Sequence, residues 1–300
     1  MNNFPATTPI SEKILILTVH TNDADFLELQ HDLLLQNCKV PFDFVVGFDN
    51  PEKEIFALGK DDIRNSFVAT TRSRGIPLVE IPRWAHTERE KLFPNSDFKK
   101  YSHLDPALRC ADSVQYMLGV LPWQRYKAIL FLDADMFLIQ PLRDVPVSAS
   151  VPFSGVKQIR TRGKREVIYI WNGIFWISGD VTFSYQINFD LIKDKGLRTD
   201  VGGKTSNWIQ RQAEAGTPGN FMNYFWSSSW GEAEAQTNDL SQALVNWLET
   251  DYRNEKPGRY FAELYAGIFL HYRGGGNWQQ RNPKVDLVNR KNFVKAVLGN

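Results

Sequence analysis

The sequence predicts an α/β fold, a Rossmann-like mixed central sheet flanked by helices. Three observations predict it. Apolar runs of strand length recur through the first half, at 13–19, 42–47, 77–81 and 128–133. Amphipathic helical stretches separate them, as in a doubly wound sheet. In the second half, 147–155 and 166–178 are rich in Val, Ile, Phe and Trp with no helix between them, which reads as strands of a mixed sheet.

Taken in order, Lys13-Ile-Leu-Ile-Leu-Thr-Val19 reads as a buried parallel strand. Asn22 or Asp23 then caps a helix that carries Phe26, Leu27, Leu33 and Leu34 on one side. Pro41 precedes the strand 42–47, and Pro82 ends the strand 77–81. The span 105–121 is helical, with Leu108, Val114, Met117 and Leu118 suitably spaced. Lys157 to Arg165 is a basic hairpin or mobile loop, and 202–233, mixing Gly, Ser, Asn and Trp, reads as loop. A helix follows Asn238, with Leu240, Leu244, Trp247 and Leu248 on one stripe, and 265–270 reads as a further strand. No repeat or low-complexity linker divides the 300 residues, so the expectation is one domain over 1–300, with halves at about 11–140 and 147–280.

Composition narrows the function classes. A net charge of +1 creates no field that would recruit nucleic acid or an anionic membrane. The two cysteines, Cys38 and Cys110, lie far apart and read as free thiols of a reducing compartment. The N-terminus lacks the basic and apolar regions of a signal peptide, and no apolar window approaches the length of a membrane span, so the expectation is a soluble cytoplasmic protein.

The most informative residues are Asp133 and Asp135. They interrupt Ala-Ile-Leu-Phe-Leu-Asp-Ala-Asp-Met-Phe-Leu-Ile, an apolar run at the carboxyl end of a strand, where open α/β sheets bind ligands. Carboxylates there are costly unless something pairs them, and a divalent cation pairs both. With 20 aspartates in 300 residues, about one Asp-x-Asp triplet arises by chance. The second one, Asp23-Ala-Asp25, has an ordinary explanation at a helix N-terminus. The pair at 133 and 135 has none beyond a polar strand end facing solvent. Hard oxygen ligands suit Mg²⁺ or Mn²⁺. His271 ends another apolar run and precedes Gly274, Gly275 and Gly276, whose backbone amides can approach phosphates closely. An Asp-Asp-His set leans toward Mn²⁺.

The segment Tyr126 to Asp135 resembles the metal-site strand of nucleotide-sugar glycosyltransferases with the GT-A fold, and its closest pattern is glycosyltransferase family 8, the glycogenin-like group. Thr18-Val-His-Thr-Asn22 resembles the loop after the first strand that touches the nucleotide. Trp171-Asn-Gly-Ile-Phe175 is similar to the family's Asn-x-Gly strand near the sugar pocket, and Asn238-Asp-Leu-Ser-Gln242 to its acidic helix start beside the reacting sugar. His271-Tyr-Arg-Gly274 resembles the His-Phe/Tyr-x-Gly segment whose histidine binds the metal. The likeness covers roughly residues 13–280. Where the family carries Lys-Pro-Trp, this chain has Asn277-Trp278, which passes the lysine's charge to Arg273 or the basic segment 157–165.

The resemblance implies an enzyme that moves a hexosyl group, with retention, from a nucleoside-diphosphate sugar to a hydroxyl of a carbohydrate or other acceptor. It implies Mn²⁺ or Mg²⁺ on Asp133, Asp135 and His271. The implied donor-binding residues are Thr18, His20, Thr21, Arg109, Asp133, Ala134, Asn172, Gly173, Arg273, Gly274 and Gly275. Asp239 and Gln242 are the implied catalytic pair. Asp239 can instead be a helix cap, and the tryptophans at 171, 176, 208, 226 and 230 fill cores as readily as they stack on sugars. Two other readings stand beside this one. A sugar-nucleotide nucleotidyltransferase would carry a Gly-rich, Arg/Lys-bearing loop after the first strand, and residues 18–22 have none. A non-catalytic carbohydrate-binding protein would not need Asp133, Asp135 and His271 intact. Action on modified DNA bases gets no support from the near-zero charge.

Overall fold

The structure, a computed structural model, describes residues 11–21, 24–50, 60–98, 105–122, 125–179, 187–222, 240–254, 259–274 and 283–299. Strand β1 (Ser11–His20) leads to helix α1 (Asp25–Asn37), β2 (Phe42–Phe48), α2 (Lys60–Ser73) and β3 (Leu78–Glu80). A short α3 (Trp84–Thr87) and a 3₁₀ turn (Arg89–Lys91) precede α4 (Pro106–Val120). Then come β4 (Tyr126–Asp133), β5 (Met136–Leu138), β6 (Phe153–Arg162), β7 (Arg165–Ser178), β8 (Lys193–Asp194), β9 (Leu197–Arg198), α5 (Thr205–Glu214) and β10 (Asn220–Phe221). The chain closes with α6 (Gln242–Thr250), β11 (Glu263–Tyr265), β12 (Phe269–His271) and α7 (Pro283–Leu298).

Among the described residues, seven strands form the central sheet in the order β10-β6-β7-β4-β1-β2-β3. β3, β2, β1 and β4 are parallel, the Rossmann-like part. β7 adds antiparallel to β4, β6 antiparallel to β7, and β10 parallel to β6. The β4–β7 ladder thus joins the two halves in one sheet, the mixed α/β architecture expected. Strand alternation sorts the core. Ile14, Ile16, Leu130 and Leu132 face Leu27, Leu34, Ile63 and Phe67 of α1 and α2. Leu15, Leu17, Ile129 and Phe131 face Val114, Met117 and Trp208 of α4 and α5. Asp105 caps α4 through its side chain, which accepts from the Ala107 and Leu108 amides, with Pro106 at the first helical position.

A second sheet, β11-β12-β5, packs with α1, α6 and α7 through Phe26, Phe137, Trp247, Tyr272 and Phe293. It brings the C-terminal part of the chain against the end of β4.

Three expectations need correction. The strand expected at 147–155 begins only at Phe153, because Ser148 and Val151 bridge across a turn. The loop expected over 202–233 contains α5, whose amphipathic face buries Trp208. The run 265–270 is two strands, because Ala266 and Gly267 both take left-handed backbone (φ 51° and 72°) and reverse the chain. The basic segment is a hairpin, the first of its two readings: it ends β6, turns at Gly163 and begins β7. Asn22 and Asp23 lie outside the described residues. Cys38 and Cys110 are separate free thiols. Among the described residues, no helix is long and apolar enough to cross a membrane.

Candidate metal centre and cleft

Asp133 is the last residue of β4, and the turn through Ala134 lets Asp135 lie on the same side rather than alternate away. Gln30 of α1 fixes that turn. Wholly buried, it donates through Nε2 to the carbonyls of Asp133 (3.0 Å) and Met136 (2.8 Å). His271 arrives by sheet pairing: β12 runs antiparallel to β5 with His271 opposite Met136, and the Tyr272 amide donates to the Asp135 carbonyl at 2.9 Å. Residues 133 and 271 meet because backbone ladders hold them there.

One ligand atom from each of Asp133, Asp135 and His271 lies within 4.8 Å of the other two. His271 Nε2 is 3.1 Å from Asp135 Oδ1. The electrostatics are those of an acidic pair short of positive charge. Burial, and then the charge of Asp135, push the Asp133 carboxyl up to about 7, against the pull of His271. Burial would lower His271, but Asp135 and Glu263 outweigh it and raise the imidazole to about 10. Two carboxylates and an imidazole converging with excess negative charge fit a divalent cation of the Mg²⁺/Mn²⁺ class.

A cleft of about 380 Å³ opens beside the triad, lined by His271, Glu263, Tyr265, Trp171, Arg273 and Asp200, with Lys157 and Arg160 of β6 on one wall. The site residues on β7 come from a bulge. Gly155 pairs with Phe175, but Lys157 pairs with Ile170, so residues 171–174 have no register partner on β6, while Ile174 still pairs with Leu132 of β4. Trp171 lies over His271 (5.1 Å between centroids) and Tyr265 (5.5 Å). Gly173 makes this possible, because a Cβ there would meet the Trp171 ring at 2.1 Å.

The other expected site residues fall at varied distances from this centre. Asn172 is buried, is not among the cleft-lining residues, and donates to Cys110 Sγ at 3.1 Å. Thr18 is wholly buried in β1, and Thr21 is half-buried just past its end. His20 is buried and neutral. Burial lowers it to about 4, and because the Gln30 amide nitrogen is already engaged, His20 Nε2 donates to Gln30 Oε1 at 3.3 Å. Arg109 is drawn into an ion pair with Asp49 on the far side of β1. Arg273 (φ 55°) lines the cleft with its Nε 3.7 Å from Glu263 Oε1, and half-buried Gly274 follows at φ 66°. Gln242 starts α6, where its exposed side chain donates to Asn246, and it is not among the cleft-lining residues. Asp239 and Gly275 lie outside the described residues, as do Trp226 and Trp230. Trp176 and Trp208 are core.

Two site residues escaped the sequence reading. Glu263 accepts from His271 and from Tyr265. Asp200, just after β9, lines the cleft and raises the Asp133 carboxyl by its charge. Their only sequence signal is an acid flanked by turn residues (Asp200) or starting a short apolar strand (Glu263).

No protein-family model matches this chain, and no curated protein is similar to it in sequence. Among solved structures it is similar to a mannosyltransferase from Pyrobaculum calidifontis in complex with GDP-Man and Mn²⁺, at 11% identity and a TM-score of 0.38, covering 73% of this chain and 58% of that one. It is also similar to mouse xyloside xylosyltransferase 1 in its apo form, at 13% identity and a TM-score of 0.34, covering 56% and 68%. This chain therefore spans under two thirds of the mannosyltransferase. Likenesses of this size decide neither fold nor activity, and the functional reading rests on the chain's own residues.

Proposed function

We propose that the chain is a metal-dependent glycosyltransferase of the GT-A type, moving a sugar from a nucleoside-diphosphate sugar to a hydroxyl acceptor. The observation that carries this reading is the convergence of Asp133, Asp135 and His271 beside an open cleft at the carboxyl end of β4. These three side chains would hold Mn²⁺, the imidazole favouring it over Mg²⁺. Bound there, the ion supplies the charge neutralisation that makes a nucleoside diphosphate a competent leaving group.

The chain's own residues do the rest. Arg273, Lys157 and Arg160 place positive side chains along the cleft where the diphosphate gains charge. Trp171 and Tyr265 offer ring faces beside the triad for a sugar. Asp200 is the cleft carboxylate placed to receive the acceptor proton or to face the reacting carbon. Asp239 and Gln242 remain candidates for the same work, and transfer with retention, as in family 8, is part of the reading.

The test is donor hydrolysis across a panel of nucleotide sugars, with and without Mn²⁺. Cleavage of one donor only with the ion present, abolished by Asp135→Ala in a protein that still melts cooperatively, is the expected result. Metal-indifferent cleavage by Asp135→Ala would sink the proposal.

A further inference from the structure

Glu263 stands behind His271. The two face each other across the β11–β12 pair, and Glu263 Oε2 lies 3.1 Å from His271 Nδ1. The other ring nitrogen, Nε2, points toward Asp135. The imidazole therefore has a carboxylate side and a metal side, and Glu263 is not one of the converging ligands. Glu263 is itself fixed. It is 5% exposed, its Oε2 accepts from the Tyr265 hydroxyl at 2.5 Å, and Arg273 Nε lies 3.7 Å from its Oε1. A carboxylate buried this deeply is costly without such partners, so its place is closely determined. A neutral imidazole can carry its proton on either nitrogen. An acceptor locked against Nδ1 selects the tautomer whose Nε2 lone pair faces Asp133 and Asp135, and it makes that nitrogen more basic.

We propose that Glu263 is a positioning residue of the metal centre. It accepts the Nδ1–H of His271 and so fixes the ring and its tautomer for ligation through Nε2. Tyr265 stands one step further back, its hydroxyl holding the same carboxylate oxygen. The inference rests on the metal-site reading above, which the experiment tests separately.

The experiment is an equilibrium titration of the full chain with Mn²⁺ alone, following free ion by its magnetic resonance signal. Glu263→Ala is expected to weaken binding about 10- to 100-fold, the usual loss when such an outer partner is removed. Glu263→Gln loses less, because an amide oxygen still accepts, and Tyr265→Phe least. A second readout uses the protein loaded with diamagnetic Zn²⁺. A long-range proton–nitrogen spectrum should show the His271 proton on Nδ1 in the wild type and lose that single pattern in Glu263→Ala. If the wild type binds Mn²⁺ and Glu263→Ala binds it equally well, the inference is overturned. If Glu263→Ala fails to fold, wild-type affinity in both Glu263→Gln and Tyr265→Phe overturns it. A wild type that binds no Mn²⁺ overturns the metal-site reading instead.

Discussion

Two clusters of buried charge flank β1, and they are built on opposite plans. On the α4 side, Asp49, Asp112 and Asp190 are matched by His86, Arg89 and Arg109. Arg89 bonds Asp112 (2.7 Å) and Asp190 (2.8 Å), His86 bridges Asp112 and Asp49 (3.2 Å each), and Arg109 pairs with Asp49. Asp49 ends below the usual carboxylate range, because His86 and Arg109 outweigh its burial, although burial still lifts Asp112. At the end of β4, Asp133, Asp135 and Glu263 share His271, with Arg273 at the edge, and Asp133 rises to about 7. A set of charges that closes on itself ties elements together. A set left short of positive charge, with an open cleft beside it, is where a cation and its ligand belong.

Breaking the open cluster should alter function and stability in opposite directions. Asp133→Asn is expected to reduce metal-dependent turnover about 10³-fold, the several kcal/mol such charge stabilisation supplies. The same change should raise the melting temperature of the metal-free protein at pH 8. The sign follows from linkage: a carboxyl raised from 3.8 to about 7 by folding penalises the folded state above pH 7, on the order of 2–4 kcal/mol, and the gain should fade as pH falls to about 4. Melting curves across pH with and without Mn²⁺ read both effects, and a variant less stable than wild type at pH 8 without metal would contradict the contrast.

The closed cluster should behave in reverse. Arg89→Met leaves Asp112 and Asp190 without their main partner and is expected to cost about 3–5 kcal/mol in denaturant unfolding. Turnover by the folded fraction should stay within a few-fold of wild type. A smaller effect sharpens the comparison through pH. His86 is raised from 6.5 to about 9 because its hydrogen bonds to Asp112 and Asp49 outweigh burial. Its stabilisation is complete below pH 6.5 and is lost as pH rises through 9, a fall of about 3 kcal/mol that His86→Gln should not show. Smallest of all, Gly173→Ala forces the Trp171 indole off the strand. The KM for the sugar substrate stacked there should rise about 5- to 10-fold with kcat nearly unchanged, the effect of about 1 kcal/mol of lost stacking.

The centre of the site was legible in the sequence for a physical reason. Charged residues inside an apolar run violate the burial rule, so Asp133 and Asp135 were conspicuous, and His271 stood at the end of a similar run. Glu263 was not legible, because only the β11–β12 register puts it opposite His271, and the turn that sets the register is an unremarkable Ala-Gly pair. Asp200 reaches the cleft through tertiary folding alone. Arg109 has the right charge near the right strand, but Asp49 captures it, and no local pattern announces a partner 60 residues away. The sheet was readable from strand-length apolar runs. Helix α5 was hidden by its Ser, Asn and Trp, whose weak propensity is overridden by packing Trp208 against Phe153. Helix α7 gave no conspicuous stripe: it buries Asp286, Asn289 and Arg290 while exposing Val285 and Val288.

The central claim is that three side chains from two strand ends hold one ion that grips a diphosphate. Calorimetric titration with Mn²⁺, alone and with a nucleoside diphosphate present, tests it most directly on the wild type, Asp135→Ala and His271→Ala. One ion per chain, bound more tightly with the diphosphate and at least about 100-fold more weakly in each variant, is the predicted result. Stoichiometric binding that survives both substitutions, or no saturable binding by the wild type, would contradict it.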